Sequence, residues 1–153
     1  MSLRAKINES LKEAMKSRDK ERLSTLRLMN AAIKDMDISL RGEGKEEGAS
    51  EADVLQILSK MVKQRQESAK TYEEGGRLDL AEGELKEITV IEDFLPRKLS
   101  DDEITAAIDA VVAEVGASSI RDMGKVMGGL KAKYTGQMDF GQVGGMVKAR
   151  LNQ

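Results

Sequence analysis

The stretch I-E-D-F-L-P-R-K-L-S-D-D-E, Ile91–Glu103, decides how this chain is read. Pro96, the only proline, closes a long helical pattern, because its ring has no N–H to donate and its fixed φ opposes continuation of the ladder. Ser100 then stands three residues before Glu103, the spacing at which a hydroxyl and a carboxylate satisfy each other's backbone N–H groups at a helix start. A stop followed at once by a start marks a boundary between two helical domains, residues 1–96 and 97–153.

Upstream of that boundary, Leu3, Ile7, Leu11 and Ala14/Met15 recur at helical spacing, and Leu23, Leu26, Asn30, Ile33 and Met36/Asp37 form a second stripe. Residues three and four apart share a helix face, so each stripe buries one side and leaves Lys and Glu in water. The segment R-G-E-G-K-E-E-G-A-S, Arg41–Ser50, has three glycines and no large apolar residue, which predicts a mobile loop. Ser50, with Asp53 three residues on, caps a third helix whose buried stripe is Val54, Ile57, Leu58, Met61 and Val62. Gly75 and Gly76 end it, and Leu78, Ala81, Leu85, Ile88, Ile91 and Phe94/Leu95 make a fourth.

Downstream, Ile104, Ala107, Ile108, Val111 and Val115 define a fifth helix that Gly116 stops in the left-handed conformation. Ser118 or Ser119 opens a sixth, with Ile120, Met123, Val126/Met127 and Leu130 inward, and Asp139 with Gln142 opens a seventh carrying Val143, Met146/Val147 and Leu151. β-Branched residues are scattered rather than alternating, which leaves little room for a sheet. The chain therefore reads as all-α: an elongated four-helix N-terminal domain followed by a small three-helix C-terminal domain, with docking or mobility expected about Pro96–Leu99.

Twenty-five basic residues oppose 27 acidic ones, a net charge of −2, and the chain has neither cysteine nor histidine. That removes disulfides, thiol nucleophiles, Ser-His-Asp triads and a structural zinc site. No phosphate-binding loop or dinucleotide fingerprint is present, so no cofactor is expected. The carboxylate pairs Asp35/Asp37 and Asp101/Asp102 lack motif spacing for Mg²⁺ or Ca²⁺, and no metal is assigned. Ser118, Ser119 and Lys125 carry the residue types of a Ser-Ser-Lys amidase, but such a site needs a buried lysine base and fixed oxyanion donors, and helix capping explains the serines better. No catalytic residue is assigned. The start, MSLRAKINES, has no signal-peptide apolar run and no stretch reaches the length of a membrane span, so a cytoplasmic protein is expected.

Charge is unevenly placed. Residues 97–116 carry two basic and five acidic side chains, whereas residues 117–153 carry Arg121, Lys125, Lys131, Lys133, Lys148 and Arg150 against Asp122 and Asp139. Such a basic segment attracts phosphates, and Tyr134 is available to stack on a base. The plainer account is a solvated helix end, since lysine there favours the helix dipole. Gly124, Gly128 and Gly129 each cost about 1 kcal/mol inside a helix. Gly124 and Gly128, four apart, would let a neighbouring backbone or a phosphate approach closely, and helix packing is the commoner reason for such spacing. Gly141, Gly144 and Gly145 repeat the pattern in the seventh helix.

The residues V-G-A-S-S-I-R-D-M-G-K-V-M-G, Val115–Gly128, and Y-T-G-Q-M-D, Tyr134–Asp139, resemble the GatB/YqeY family. L-K-E-A-M-K-S-R-D-K-E-R-L-S-T-L-R, Leu11–Arg27, and I-E-D-F-L-P, Ile91–Pro96, resemble its stand-alone YqeY-like members, so the resemblance covers almost the whole chain. It implies a helical N-terminal domain and a tail domain similar to that of the B subunit of the aspartyl/glutamyl-tRNA amidotransferase, related to a helical region of glutaminyl-tRNA synthetases. It further implies a link to glutamine-dependent tRNA amidation, a carbon–nitrogen ligase activity with glutamine as amido-N-donor, whose catalysis belongs to domains this chain lacks. The expected role is a noncatalytic tRNA- or RNA-binding module using Arg121, Lys125, Lys131, Lys133, Tyr134, Lys148 and Arg150, with Gly124 and Gly128 allowing close approach. The alternative is an adaptor whose N-terminal helices dock on an amidotransferase or an aminoacyl-tRNA synthetase, with Arg22, Arg27 and Arg65 as a polar rim.

Overall fold

The computed structural model of the chain describes residues 1–152. It is all-helical: seven α-helices and one 3₁₀ turn, with no strand among the described residues. The helices fall into a first compact unit, Met1–Leu95, and a second that begins at Pro96.

In the first unit, α1 (Leu3–Ser17) is capped by the Ser2 hydroxyl, which accepts from the Ala5 N–H at 3.2 Å. It ends at Arg18, which takes the left-handed conformation at φ +60°. α2 (Lys20–Gly42) starts on Asp19, whose carboxylate accepts from the Arg22 N–H. Ser50 and Asp53 form the reciprocal cap of α3 (Glu51–Glu74), at 2.9 and 3.1 Å, and α4 (Leu78–Glu92) returns along α3. Ile7, Leu26, Met29, Ile33, Val54, Leu58 and Ile91 interlock in the core, each fully buried aliphatic side chain contributing roughly 1.5–3 kcal/mol.

Three details differ from the sequence reading. α2 buries Met29 rather than Asn30, which sits one residue, about 100°, further round and pairs with Asn8 at 3.2 Å. Along α3 beyond Val62 and in the first half of α4 only Ala69 and Ala81 are buried, so Leu78 and Leu85, both expected inward, are exposed together with Leu80. The Arg41–Ser50 segment is irregular but anchored. Arg41 and Gly42 still belong to α2, and the buried Asp37 carboxylate reaches across to accept the Ala49 N–H at 2.8 Å. Arg4 from α1 grips the same carboxylate at 2.5 and 2.9 Å and donates to the Ala49 carbonyl.

In the second unit, α5 (Asp101–Val115) begins on the Ser100/Glu103 capping box and ends at Gly116, φ +68°, as the sequence predicts. Ser119 opens a 3₁₀ turn, Ile120–Asp122, that runs directly into α6 (Met123–Tyr134), and Ile120, expected inward, is exposed. The Asp122 carboxylate takes the backbone N–H groups of both serines, at 2.9 and 3.4 Å, and this holds the turn. α7 (Phe140–Leu151) starts where Asp139 accepts from the Gly141 N–H. Val111, Val126, Leu130, Val143 and Val147 fill a separate core. The segment before α5 is stitched down: the Leu99 N–H donates to the Gln137 carbonyl at 2.8 Å, and the Gln137 amide donates to the Arg97 carbonyl.

Candidate nucleic-acid interface

At about 100° per residue, Gly124, Gly128 and Ala132 line up along one side of α6, with Lys125 and Lys131 flanking them. All five are exposed, while Val126 and Leu130 on the other side are buried. A Cβ built on Gly124 or Gly128 meets nothing within 4 Å, so neither glycine is used for packing among the described residues. The packing role falls on Gly129, where a Cβ would sit 2.8 Å from Val111 Cγ1 of α5.

α7 is built on the same plan, a correspondence that reaches further than the shared glycines. Asp122–Tyr134 reads D-M-G-K-V-M-G-G-L-K-A-K-Y and Asp139–Leu151 reads D-F-G-Q-V-G-G-M-V-K-A-R-L, sharing Asp, Gly, Val, Gly, Lys and Ala at the same places. The structure makes the match physical. Both aspartates stand at the N-cap of a twelve-residue helix. Gly141, Gly145, Lys148 and Ala149 are exposed like Gly124, Gly128, Lys131 and Ala132, and Val143 and Val147 are buried like Val126 and Leu130.

This alignment sorts the predicted cations. Lys131 and Lys148 are equivalent, exposed, and free of any salt bridge among the described residues; so are Lys125 and, in the 3₁₀ turn, Arg121. Lys133 and Arg150 are also equivalent, but both are engaged by α5. Lys133 Nζ meets Glu114 Oε2, and Arg150 Nε meets Asp109 Oδ1 at 2.9 Å. The Glu114 hydrogen bond raises the Lys133 pKa further, so that ammonium stays charged. Tyr134 is half-buried against the core of the second unit.

Lys125 stands in solvent, and the Ser118 and Ser119 backbones are turned to Asp122, whose pKa is lowered first by the Ser118 N–H. Of the carboxylate pairs, Asp37 is committed to Arg4, and Asp101 and Asp102 lie exposed in the first turn of α5. No group of three or more carboxylates among the described residues is arranged to hold a metal ion. No helix among them is long and apolar enough to cross a membrane.

The fold and this surface define a class: an all-helical chain of two compact units, the second presenting a duplicated basic, glycine-lined helix. The chain belongs to the family described as Yqey-like protein, whose model matches residues 4–151. Over 100 residues it is 32% identical to an uncharacterized protein of Schizosaccharomyces pombe, covering 65% of this chain and 77% of that protein. Two relatives share the name Altered inheritance of mitochondria protein 41, mitochondrial. That of Lachancea thermotolerans is 30% identical over 75% of this chain and 60% of its own length. That of Clavispora lusitaniae is 31% identical over 76% and 66%. The chain thus spans under two thirds of the length of these two relatives.

Proposed function

We propose that the protein is a noncatalytic tRNA- or RNA-binding accessory module linked to glutamine-dependent tRNA amidation, its second unit acting like the tail of the amidotransferase B subunit. One observation carries the reading. Lys125, Lys131 and Lys148 stand without a salt bridge among the described residues, beside helix backbone at Gly124, Gly128 and Gly145 where a Cβ would meet no described atom within 4 Å. A solvated helix end accounts for lysines, but not for interior glycines that each forgo about 1 kcal/mol of helix stability without packing on anything among the described residues. A bulky polyanion such as a sugar–phosphate backbone uses both features, the cations for charge and the bare helix for close approach. The amidation link rests on the family resemblance of Val115–Gly128 and Tyr134–Asp139, and the ligase chemistry is assigned to partner subunits. The reading takes the compartment of action to be the cytoplasm, whereas two yeast relatives carry a mitochondrial label.

The test is titration of unfractionated tRNA with the full chain and with Lys131→Glu/Lys148→Glu. The double substitution removes two contacts and adds two repulsions, and should weaken binding at least tenfold while the thermal melt is retained. Unchanged affinity would remove this face from the reading.

A second reading, an adaptor docking on an amidotransferase or an aminoacyl-tRNA synthetase, is favoured by a different observation: Leu78 and Leu85, seven residues apart and so on one side of α4, are both exposed. Of the proposed rim, Arg22 is paired with Asp93 and Arg65 with Glu87, both at 2.9 Å, so only Arg27 stands without a salt bridge among the described residues. Binding of a protein partner that persists at high salt and is lost in Leu78→Ser/Leu85→Ser would carry this reading instead.

A further inference from the structure

α5 is the acidic element of the second unit, and it spends two of its carboxylates on the two copies of one repeated position. Lys133 and Arg150 occupy the same place in the duplicated helix, and each is met by a carboxylate of α5, Glu114 and Asp109 respectively. Lys131 and Lys148, two residues earlier and so about 160° round each helix, have no such partner among the described residues. The pattern is selective: in both copies one cation is left open and the next is covered.

The covering contacts are exposed. The side chains of Lys133 and Glu114 are 47% and 57% accessible, and those of Arg150 and Asp109 43% and 54%. Ion pairs that accessible hold a fold together only weakly, because water and salt screen them and two long side chains must be ordered. The unit's stability comes instead from the core of Val111, Val126, Leu130, Val143 and Val147. A phosphate oxygen offers the same charge-assisted acceptor as a carboxylate oxygen. An incoming polyanion can therefore exchange with either carboxylate at small cost.

We propose that Glu114 and Asp109 are built-in stand-ins for phosphate: they occupy Lys133 and Arg150 at rest and are displaced when a polyanion engages Lys131 and Lys148. The inference rests on the reading that this face binds RNA, and adds its regulation. The stand-ins lower affinity for weak or sparse anions. A ligand extended and dense enough in phosphate to reach round the helix to the covered cations gains them, so the unit discriminates by the extent and density of phosphate.

The experiment is a double-mutant cycle on the full chain with unfractionated tRNA as probe, read as affinity against salt. Glu114→Gln/Asp109→Asn frees both cations and should tighten binding about three- to tenfold at low salt. Lys133→Gln/Arg150→Gln should weaken it and lower the salt slope by roughly two phosphate contacts' worth. In that background the carboxylate substitutions should no longer tighten binding. Tightening of equal size there would mean that the carboxylates act only through long-range charge, and would overturn the stand-in role. An unchanged slope in Lys133→Gln/Arg150→Gln would overturn it too, while tRNA binding by the unaltered chain would leave the underlying reading intact. If none of the four proteins binds tRNA at low salt, both fall. A thermal melt of each variant separates lost binding from lost folding.

Discussion

Asp37 is the residue on which the first unit's stability is most sensitive to a single proton. Its carboxylate is buried, gripped by Arg4 and by the Ala49 N–H, and those two partners hold its pKa down at about 2. Gly48 closes the site: it has φ +74°, and a Cβ there would lie 2.5 Å from Asp37 Oδ1. A carboxyl whose folded pKa is depressed contributes stability that is fully present above its unfolded pKa, near 4, and is lost as pH falls through the folded value. The acid limb of the unfolding curve should therefore fall between about pH 4 and pH 2, with this group supplying on the order of 2 kcal/mol. Asp37→Asn should lower stability at pH 7 by roughly 1–3 kcal/mol, since the half-exposed Arg4 loses its counter-ion, and should flatten that limb. Chemical denaturation at pH 7, 4 and 2.5 checks both. A variant as pH-sensitive as the parent would show that Asp37 does not carry the acid transition. Hydropathy pattern gave no sign of this anchor: glycine density made Arg41–Ser50 look mobile, and the bond that fixes it joins residues far apart in sequence.

Among the elements, α6 separates two kinds of glycine that its sequence presents alike. Gly129 is pressed against the branched Val111 side chain, which cannot swing aside, so Gly129→Ala should destabilise the second unit by about 1–3 kcal/mol. Gly124 and Gly128 face open space, so Gly124→Ala/Gly128→Ala should stabilise it, by up to about 1 kcal/mol per site from helix propensity. Thermal melts decide the sign at each position. If the bare backbone serves close approach, that stabilised variant should nonetheless bind tRNA more weakly; equal or tighter binding would leave the lysines alone as the interface. What was legible follows the same line. Caps at Ser50 and Ser100 and the stop at Gly116 are local chemistry, readable from spacing over a few residues, and the structure has them. Which of several inward positions meets another helix depends on where that helix crosses. Gly129 over Gly124, Met29 over Asn30 and the exposure of Leu85 are decided there, as are the pairs that divide Lys131 from Lys133. The repeat, by contrast, was present in the letters, and becomes informative once both copies are seen to bury and expose the same positions.

Over the whole molecule the charge is divided in a way the net value hides. Residues 1–95 carry 17 basic and 20 acidic side chains, and residues 96–153 carry eight and seven. Since the first of these is net negative, it repels a polyanion at distances within the Debye length, about 10 Å at 0.1 M salt, and helps only if it supplies contacts of its own. The second unit has a self-contained core, a capped start at Ser100 and backbone bonds that fasten Leu99 to Gln137. At its size a domain without disulfide or metal is marginal, with a core worth about 3–5 kcal/mol, which predicts a cooperative but low-temperature melt for residues 96–153 made alone. Freed from the acidic first unit, that fragment should bind unfractionated tRNA as tightly as the full chain or a few-fold tighter at 50 mM salt. The two log-affinity slopes against log salt should coincide, because the slope counts phosphates contacted and not distant charge. Circular dichroism establishes that the fragment is folded, and titrations at 50, 100 and 200 mM salt give the slopes. A folded fragment with a shallower slope than the full chain would place part of the phosphate contact on the first unit, and a folded fragment that does not bind would remove the tail from the proposed interface.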